Sequence, residues 1–201
     1  MSDYRDPNQK PREGMIWSEK HRMWVSPDTR TPEQKAKDEE IFRAAEQRRE
    51  ERREFWTFVL SRFAKGWPAY VACGEGWRGL ISKLTEELDR VWEGFDPRWK
   101  PSECWHICQI KEKFAGLRYY ADPSVTVEEG DSEDVKNDFN KRTLRFRDLI
   151  HDAEMKSYKV CEDCGKEEAE QRTINGWLST LCDEHYKKAV ENKKGESHEG
   201  A

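Results

Sequence analysis

Apolar residues in this chain occur as short runs separated by long polar stretches, and the first runs predict a small hairpin. Ile16-Trp17 and Met23-Trp24-Val25 flank a polar turn of five residues. Two short runs of aromatic and aliphatic residues around such a turn are typical of paired strands. The polar residues 1–15, which include two prolines and a glycine, predict a flexible lead-in.

A long helix is predicted from Thr31 to about Lys65. Thr31 and Gln34 have the spacing of a capping box, and Pro32 suits the first helical position. Residues 47–54 contain no apolar side chain, and their arginines and glutamates alternate. We interpret this stretch as a solvated or partner-facing rod. Nucleic-acid binding through its arginines and pairing of two chains through the helix are open alternatives.

The middle of the chain predicts a small mixed domain. Apolar residues at helical spacing indicate an amphipathic helix from about Trp77 to Trp92. Two strands are expected at Trp105–Lys111 and Leu117–Tyr120, joined by a connection of hairpin length. An acidic surface loop over 122–138 and a helix from Phe139 to just before Cys161 follow.

The predicted fold class is α+β, with helices on a hairpin, a C-terminal treble-clef-like zinc finger and a long charged N-terminal helix. The expected segments are a lead-in at 1–30, the long helix at 31–65, an α+β core at 66–158, the zinc finger at 159–187 and a polar tail at 188–201.

The composition indicates how much of the chain can form a core and in which compartment the protein is expected. Of 201 residues, only 35% are hydrophobic and 38% are charged, so part of the chain is expected outside any core, while nine Trp compensate by burying large rings. No apolar run is long enough to span a membrane and no apolar signal segment follows Met1. We therefore expect a cytoplasmic protein, in which clustered cysteines are more often metal ligands than disulfides.

The clearest motif is a set of four metal ligands. Cys161 and Cys164 form one close pair, and Cys182 and His185 form another after a spacer of 17 residues. Two such pairs suit tetrahedral Zn²⁺. Asn175-Gly176 between the pairs is typical of a type I′ hairpin turn, and the second pair opens a predicted helix.

The order of knuckle, hairpin and helix predicts a treble-clef-like finger with one structural zinc. Four protein ligands leave the ion no open position, which excludes a catalytic role for it. From Cys161 to Tyr186 the finger has seven acidic and two basic residues, so it would repel nucleic acid rather than bind it. No His lies between Cys161 and His185 to serve a nuclease site.

The remaining thiols are expected to be buried side chains. On a strand, Cys104 and Cys108 would be too far apart to share an ion, at ~3.3 Å per residue. A second metal site with Cys73 and His106, or a nucleophile formed by the same two residues, stays an alternative.

Two basic segments are candidate anion contacts. The hairpin combines Lys111, Lys113 and Arg118 with neighbouring aromatic rings, a pattern that can bind single-stranded nucleic acid. The helix after it forms the most basic local patch, from Lys141, Arg142 and Arg145 to Arg147. The competing interpretation is that the rings pack on the core and the charges are solvated.

Three stretches form a combination of motifs: Cys73-Gly74-Glu75-Gly76-Trp77 with Leu80-Ile81, Gln109 to Tyr120, and Thr180 to His185. Together they resemble a family of small, mostly uncharacterised bacteriophage and prophage proteins. That family combines a "CG-GW" helix, a "KEKFGGLRFY" hairpin and a C-terminal zinc finger. The resemblance covers about residues 67–186, with Ala115-Gly116 where the family has Gly-Gly. It implies a phage origin and the host cytoplasm, and it supplies no catalytic residues.

Together these features favour a non-enzymatic, zinc-stabilised phage accessory protein that binds another protein, such as a host factor or a host-defence component. The first alternative is a nucleic-acid-binding protein that uses the hairpin 111–120 and the helix face 141–147. The second is an enzyme whose site the sequence does not reveal.

Overall fold

In the computed structural model, the described residues are 8, 13–66, 68–95, 99–174 and 176–196, with side chains described up to 192. The chain divides into two compact units, Met1–Glu51 and Arg52–Ala201, which are considered separately. In the described part of the chain, no helix is both long and apolar enough to cross a membrane.

The described residues form four α-helices and three small sheets, which confirms the expected mixture of helix and strand. In chain order the elements are β1 (Ile16–Ser18), β2 (Met23–Val25), α1 (Pro32–Leu60), β3 (Val71–Ala72), α2 (Arg78–Val91), β4 (Trp105–Lys113), β5 (Gly116–Pro123), α3 (Glu133–Ser157), β6 (Glu170–Ile174), β7 (Trp177–Leu181) and α4 (Asp183–Glu196). Short 3-10 turns at Glu75–Trp77 and Pro101–Glu103 precede α2 and β4.

The first unit contains the predicted aromatic hairpin. Strands β1 and β2 pair antiparallel and place Trp17 opposite Trp24, with the ring centroids 5.9 Å apart in an edge-to-face arrangement. The predicted capping box of α1 is also present. The Gln34 N–H donates to Thr31 Oγ1, and the Thr31 N–H donates to Gln34 Oε1 at 2.8 Å.

Helix α1 ends at Leu60, five residues before the predicted end. The helix ends because the following backbone forms hydrogen bonds with β4 instead. The Ile107 N–H donates to the Arg62 carbonyl at 2.7 Å, and the Ala64 N–H donates to the Ile107 carbonyl. Phe63 and Ile107 thereby form an isolated parallel bridge. A helix cannot continue once its backbone groups are committed to a strand.

The predicted acidic loop 122–138 is shorter than expected. Strand β5 continues to Pro123, and α3 begins at Glu133 instead of Phe139. Ser132 caps the helix by accepting from the Val135 N–H, and the first-turn carboxylates favour the positive end of the helix dipole. At the C-terminus, α4 extends through the predicted polar tail to Glu196, since the tail is rich in good helix formers.

The central sheet has the order β3-β4-β5, with β3 parallel and β5 antiparallel to β4. Its β4–β5 turn places Phe114 and Ala115 at φ 55° and 59°, in the left-handed region. Ala115 is fully buried there. The glycine of this connection, Gly116, instead lies in the strand, where a Cβ would be 2.5 Å from the Tyr158 ring.

One face of the sheet carries the main core. Helices α2 and α3 and the end of α1 bury large side chains against it, among them Trp77, Trp92, Trp105, Tyr119 and Phe146. Inside this core the Thr85 hydroxyl donates to the Ile81 carbonyl, so the Tyr119 hydroxyl must donate to Thr85 Oγ1 at 2.9 Å. Burial raises the pKa of Tyr119 well above its usual value, which keeps this donor protonated.

Helix α3 also protects the outer edge of the sheet. The Leu117 N–H donates to Ser157 Oγ at 2.8 Å, and the Tyr119 N–H donates to Glu154 Oε1 at 3.0 Å. Two side chains of α3 therefore replace the missing neighbouring strand along β5.

An ion pair between Arg62, two residues after α1, and Asp89 of α2 fixes the end of α1 to the core. Arg62 donates twice to the carboxylate of Asp89 on α2, at 3.2 and 2.7 Å, and the Trp105 indole N–H donates to the same carboxylate at 2.9 Å. The Arg62 and Asp89 side chains are only 15% and 21% exposed. Because Arg62 and Trp105 donate to the same carboxylate, Asp89 of α2 links the segment after α1 to the start of β4.

Replacement of Asp89 by Asn should destabilise the protein by about 2 kcal/mol, because the half-buried guanidinium loses its counter-charge and one acceptor. Urea unfolding measures this. Glu86→Gln is the matched control, since Glu86 pairs with Arg90 on the exposed face of the same helix and should cost less than about 0.5 kcal/mol. Equal effects of the two variants would contradict the assigned role of Asp89.

Candidate metal centre

The first pair of predicted ligands lies on a tight knuckle after α3. Val160 and Glu167 form an isolated antiparallel bridge that closes the loop. Inside it, the Gly165 N–H donates to the Cys161 carbonyl at 2.8 Å, and the Cys161 N–H donates to the Lys166 carbonyl. Gly165 has φ 77°, a conformation that glycine adopts without strain. The knuckle thus points both thiols to the same side.

The second pair lies where β7 meets α4. The predicted hairpin between the two pairs is present as β6 and β7, with Ile174 paired to Trp177 at the tip. Asn175 of the predicted turn is outside the described residues, and Gly176 has φ 82°. Cys182 immediately precedes α4 and His185 is in its first turn, so the two side chains share one side of the helix start.

The four predicted ligands converge. The ligand atoms of Cys161, Cys164, Cys182 and His185 all lie within 4.8 Å of one another. The Sγ atoms of Cys164 and Cys182 are 3.9 Å apart, and His185 Nδ1 is 3.7 Å from Cys161 Sγ and 3.2 Å from Cys182 Sγ. Over the described residues, no other group of three or more His, Cys, Asp or Glu is placed to hold a metal ion.

Local hydrogen bonds lower the pKa of one thiol in the cluster, which favours the binding of a cation. The backbone N–H of His185, with smaller contributions from the neighbouring ligands, lowers the pKa of the Cys182 thiol to about 6. A thiolate is the form that binds a metal. The pKa of Cys164 is raised, first by desolvation and also by the adjacent thiols Cys161 and Cys182.

A small hydrophobic cluster and one arginine hold the finger together. Buried Ala169 and Leu181 pack with Ile174 and residues of α4. Arg172 donates to Glu170 and to Asp183, and its guanidinium lies over the Tyr186 ring at 4.6 Å. One of the two basic residues of the finger is therefore neutralised internally, and the acidic character of its surface remains.

The knuckle docks on the short segment that leads into α2. The Gly76 N–H donates to the Glu162 carbonyl at 2.7 Å, and the Trp77 indole N–H donates to the Val160 carbonyl at 2.8 Å. A Cβ on Gly76 would be 2.1 Å from the Cys161 carbonyl oxygen, and one on Gly74 would be 2.1 Å from the Glu162 carbonyl oxygen. Only glycine permits this close approach of two backbones.

The role of Gly74 and Gly76 was not apparent from the sequence. Gly74 has φ −66°, so no turn requires a glycine there. The sequence did contain one indication of a close backbone contact. Two glycines precede a predicted helix and lie next to a tryptophan, and no predicted hairpin or turn accounts for them.

The finger also contacts the β4–β5 turn. Thr180 Oγ1 donates to the Ala115 carbonyl at 2.6 Å, and the Gln171 side-chain amide donates to the Phe114 carbonyl at 3.3 Å. The hairpin turn therefore has its carbonyl groups satisfied by β6 and β7, while the Phe114 ring remains 68% exposed.

The other thiols and His106 do not form a second centre. Cys104 is buried before β4, whereas Cys108 is exposed at an irregularity in the strand register between Ile107 and Gln109. His106 Nδ1 is 2.8 Å from Ser124 Oγ. Burial, followed by the nearby carboxylates of Glu75 and Glu162, raises the pKa of Cys73 to about 11, the opposite of what a nucleophilic thiol requires.

The predicted anion contacts lie on two different surfaces. Lys111 and Arg118 are cross-strand partners on the sheet, and Lys113 is two residues further along β4. Lys141 is exposed on α3, while Arg145 lines a groove between α3 and α2. Arg142 is committed to structure, because its guanidinium donates to the Val91 and Glu93 carbonyls at the end of α2 and to Asp138.

Comparisons of the chain with protein-family models, with curated proteins and with solved structures find no match. The phage family suggested by the three motifs therefore stays a prediction, and the site is interpreted from its own geometry.

Replacement of Gly76 by Ala should destabilise the protein by about 3 kcal/mol and weaken metal binding, because the added methyl group collides with the knuckle backbone. Gly79→Ala is the control. Gly79 is in α2 with open space around its Cα, so alanine should be neutral or stabilise by up to about 1 kcal/mol. Thermal unfolding and metal titration of both variants test this, and a Gly76→Ala protein with wild-type stability would refute the docking.

Proposed function

We propose that Cys161, Cys164, Cys182 and His185 bind one structural Zn²⁺ in a treble-clef-like finger. Zinc bound tetrahedrally at its usual ligand distances places two sulfurs about 3.8 Å apart, and a sulfur and a nitrogen about 3.5 Å apart. The separations of 3.9, 3.7 and 3.2 Å in the cluster are close to these values. Three thiolates and one imidazole are also the donor set that zinc prefers.

The single observation that carries this proposal is the convergence of four protein ligands on one point. With all four positions filled by side chains, the ion has no site for water or substrate, so its role is to hold the fold. It joins the knuckle to the start of α4, and the knuckle is itself joined to the core at Gly76 and Trp77. Metal binding and docking of the finger are therefore coupled.

The protein as a whole is proposed to be a non-enzymatic accessory protein that binds another protein. Binding to another protein is supported by the tip of the finger, where Trp177 is 80% exposed and the adjacent Leu178 is 39% exposed. Exposed tryptophan is a frequent anchor of protein interfaces, and the acidic finger around it suits a partner with basic side chains. A bacteriophage origin and the host cytoplasm are proposed from the motif resemblance alone.

The purified protein should contain one zinc ion per chain, measured by elemental analysis. Cys161→Ser should lose most of the metal and unfold at a lower temperature, since an incomplete ligand set cannot hold the knuckle to α4. Cys73→Ser should keep it, because Cys73 lies outside the cluster. Retention of zinc in Cys161→Ser, or loss of the metal without a change in thermal stability, would disprove a structural site at these residues.

A protein partner held through the tip should depend on Trp177. Affinity capture from host lysate, with identification by mass spectrometry, is expected to recover a specific protein with the wild-type chain and at least about tenfold less of it with Trp177→Ala. Trp99→Ala removes a 50% exposed tryptophan from another surface and should leave the yield unchanged. Equal recovery by all three proteins would exclude the tip as the contact.

A further inference from the structure

The central sheet has a second face, which points away from the core. Val71 packs against the core and Ile110 and Tyr119 are buried, so their neighbours in sequence point outward by the alternation of strands. Tyr70 and Tyr120 are accordingly 51% and 43% exposed. In the described part of the chain, this outward face carries the side chains of Tyr70, Ala72, Gln109, Lys111, Lys113, Arg118, Tyr120 and Asp122.

The register of the three strands arranges these side chains in rows. Gln109 is the direct partner of Tyr120, and Tyr70 is one step before the Val71–Ile110 pair, which places it beside Gln109. The two tyrosines therefore flank one amide side chain, two strand spacings apart, or about 10 Å. The next row is Ala72, Lys111 and Arg118.

The basic row has no internal partner of opposite charge. Like charges directly opposite each other weaken an antiparallel pair, yet Lys111 faces Arg118 across β4 and β5. Among the described residues, no carboxylate forms an ion pair with Lys111, Lys113 or Arg118. Arg118 is also held in place, because its guanidinium donates to the Leu117 carbonyl and the Tyr158 hydroxyl and lies 5.8 Å from the centre of the Tyr158 ring. These partners are uncharged, so the basic row keeps its positive charge and favours an anionic ligand.

The cations and the rings are also adjacent. Lys111 Nζ is 5.1 Å from the centre of the Tyr120 ring, and Lys113 Nζ is 5.2 Å from the centre of the exposed Phe114 ring at the hairpin tip. A ligand that presents a flat ring to Tyr120 would therefore have its attached phosphate near Lys111. One acid, Asp122, lies at the far end of the same strand face, two residues beyond Tyr120.

We propose that this outward sheet face binds single-stranded nucleic acid, with bases stacked on Tyr70 and Tyr120 and phosphates held by Lys111, Lys113 and Arg118. Aromatic rings on an open sheet stack splayed bases, and basic residues beside them follow the backbone. A duplex keeps its bases stacked inside and offers no ring to the tyrosines. The proposed contacts come from β3, β4 and β5, so Lys141, Arg142 and Arg145 of α3 are not part of this site.

This site goes beyond the proposed function and is separate from it. It uses neither the metal ligands nor Trp177, so zinc content and partner capture test one proposal and nucleic-acid binding tests the other.

The test is fluorescence anisotropy with labelled oligonucleotides of about twelve bases, a single-stranded mixed sequence and its duplex, at several salt concentrations with the full chain. Three phosphate contacts predict that the logarithm of the affinity falls with the logarithm of salt with a slope of about −2. The single strand should bind at least about tenfold more tightly than the duplex, because only it can stack on the tyrosines.

Two double variants, each with a double variant as its control, separate the rings from the charges. Tyr70→Ala with Tyr120→Ala should lose at least about fivefold in affinity while the salt slope is kept, and Tyr70→Phe with Tyr120→Phe should retain binding, since phenylalanine preserves the stacking face. Lys111→Gln with Lys113→Gln should reduce the slope to about −0.7. Lys83→Gln with Lys156→Gln removes the same charge from the groove between α2 and α3 and should change the affinity less than about twofold.

Circular dichroism and zinc content establish that each variant is folded. The proposal is overturned if the wild-type chain does not bind the single strand at about 50 mM salt, if duplex binds equally well, or if removal of both tyrosine rings has no effect.

Discussion

The close approach of two backbones, the knuckle and the segment before α2, is the constraint on which the rest of the second unit depends. Gly74 and Gly76 let carbonyl oxygens of the knuckle approach to a distance that any side chain would block, and the Trp77 indole N–H donates to the Val160 carbonyl in the same contact. Trp77 is itself fully buried in the core. A metal held by the knuckle therefore stabilises the core as well as the finger, because one tryptophan belongs to both.

Local patterns predicted the elements well, since their causes are local. The capping box at Thr31, the aromatic runs of the N-terminal hairpin and the spacing of the four candidate ligands each depend on neighbours in sequence. Two of the predictions that were wrong depended on how strand β4 pairs with the rest of the chain. Helix α1 ends early because β4 pairs with Arg62 and Phe63, and the irregularity in β4 exposes Cys108.

The functional surfaces could be predicted only in part, because local patterns indicate a hairpin but not its exact register or which further strand lies beside it. Lys111 and Arg118 were recognisable as basic residues, but their direct opposition and the row that Tyr70 forms with Tyr120 follow from the register of three strands. Arg142 is the opposite case, because a residue that the sequence suggested for a binding surface has a structural role. It belongs to the most basic local patch of the chain, yet its guanidinium is used to satisfy carbonyl groups at the end of α2.

The contact between Trp77 and Val160 joins residues 83 positions apart, and this separation has a consequence for the order in which the chain matures. During synthesis the segment 74–77 leaves the ribosome long before the knuckle and the last ligand, His185. Until those residues emerge, the indole N–H and the two glycines have no partner surface, and the core around them is open on one side. We therefore expect the metal site to be completed late in biogenesis, which makes the newly made chain most vulnerable to proteolysis and aggregation just before the four ligands can meet.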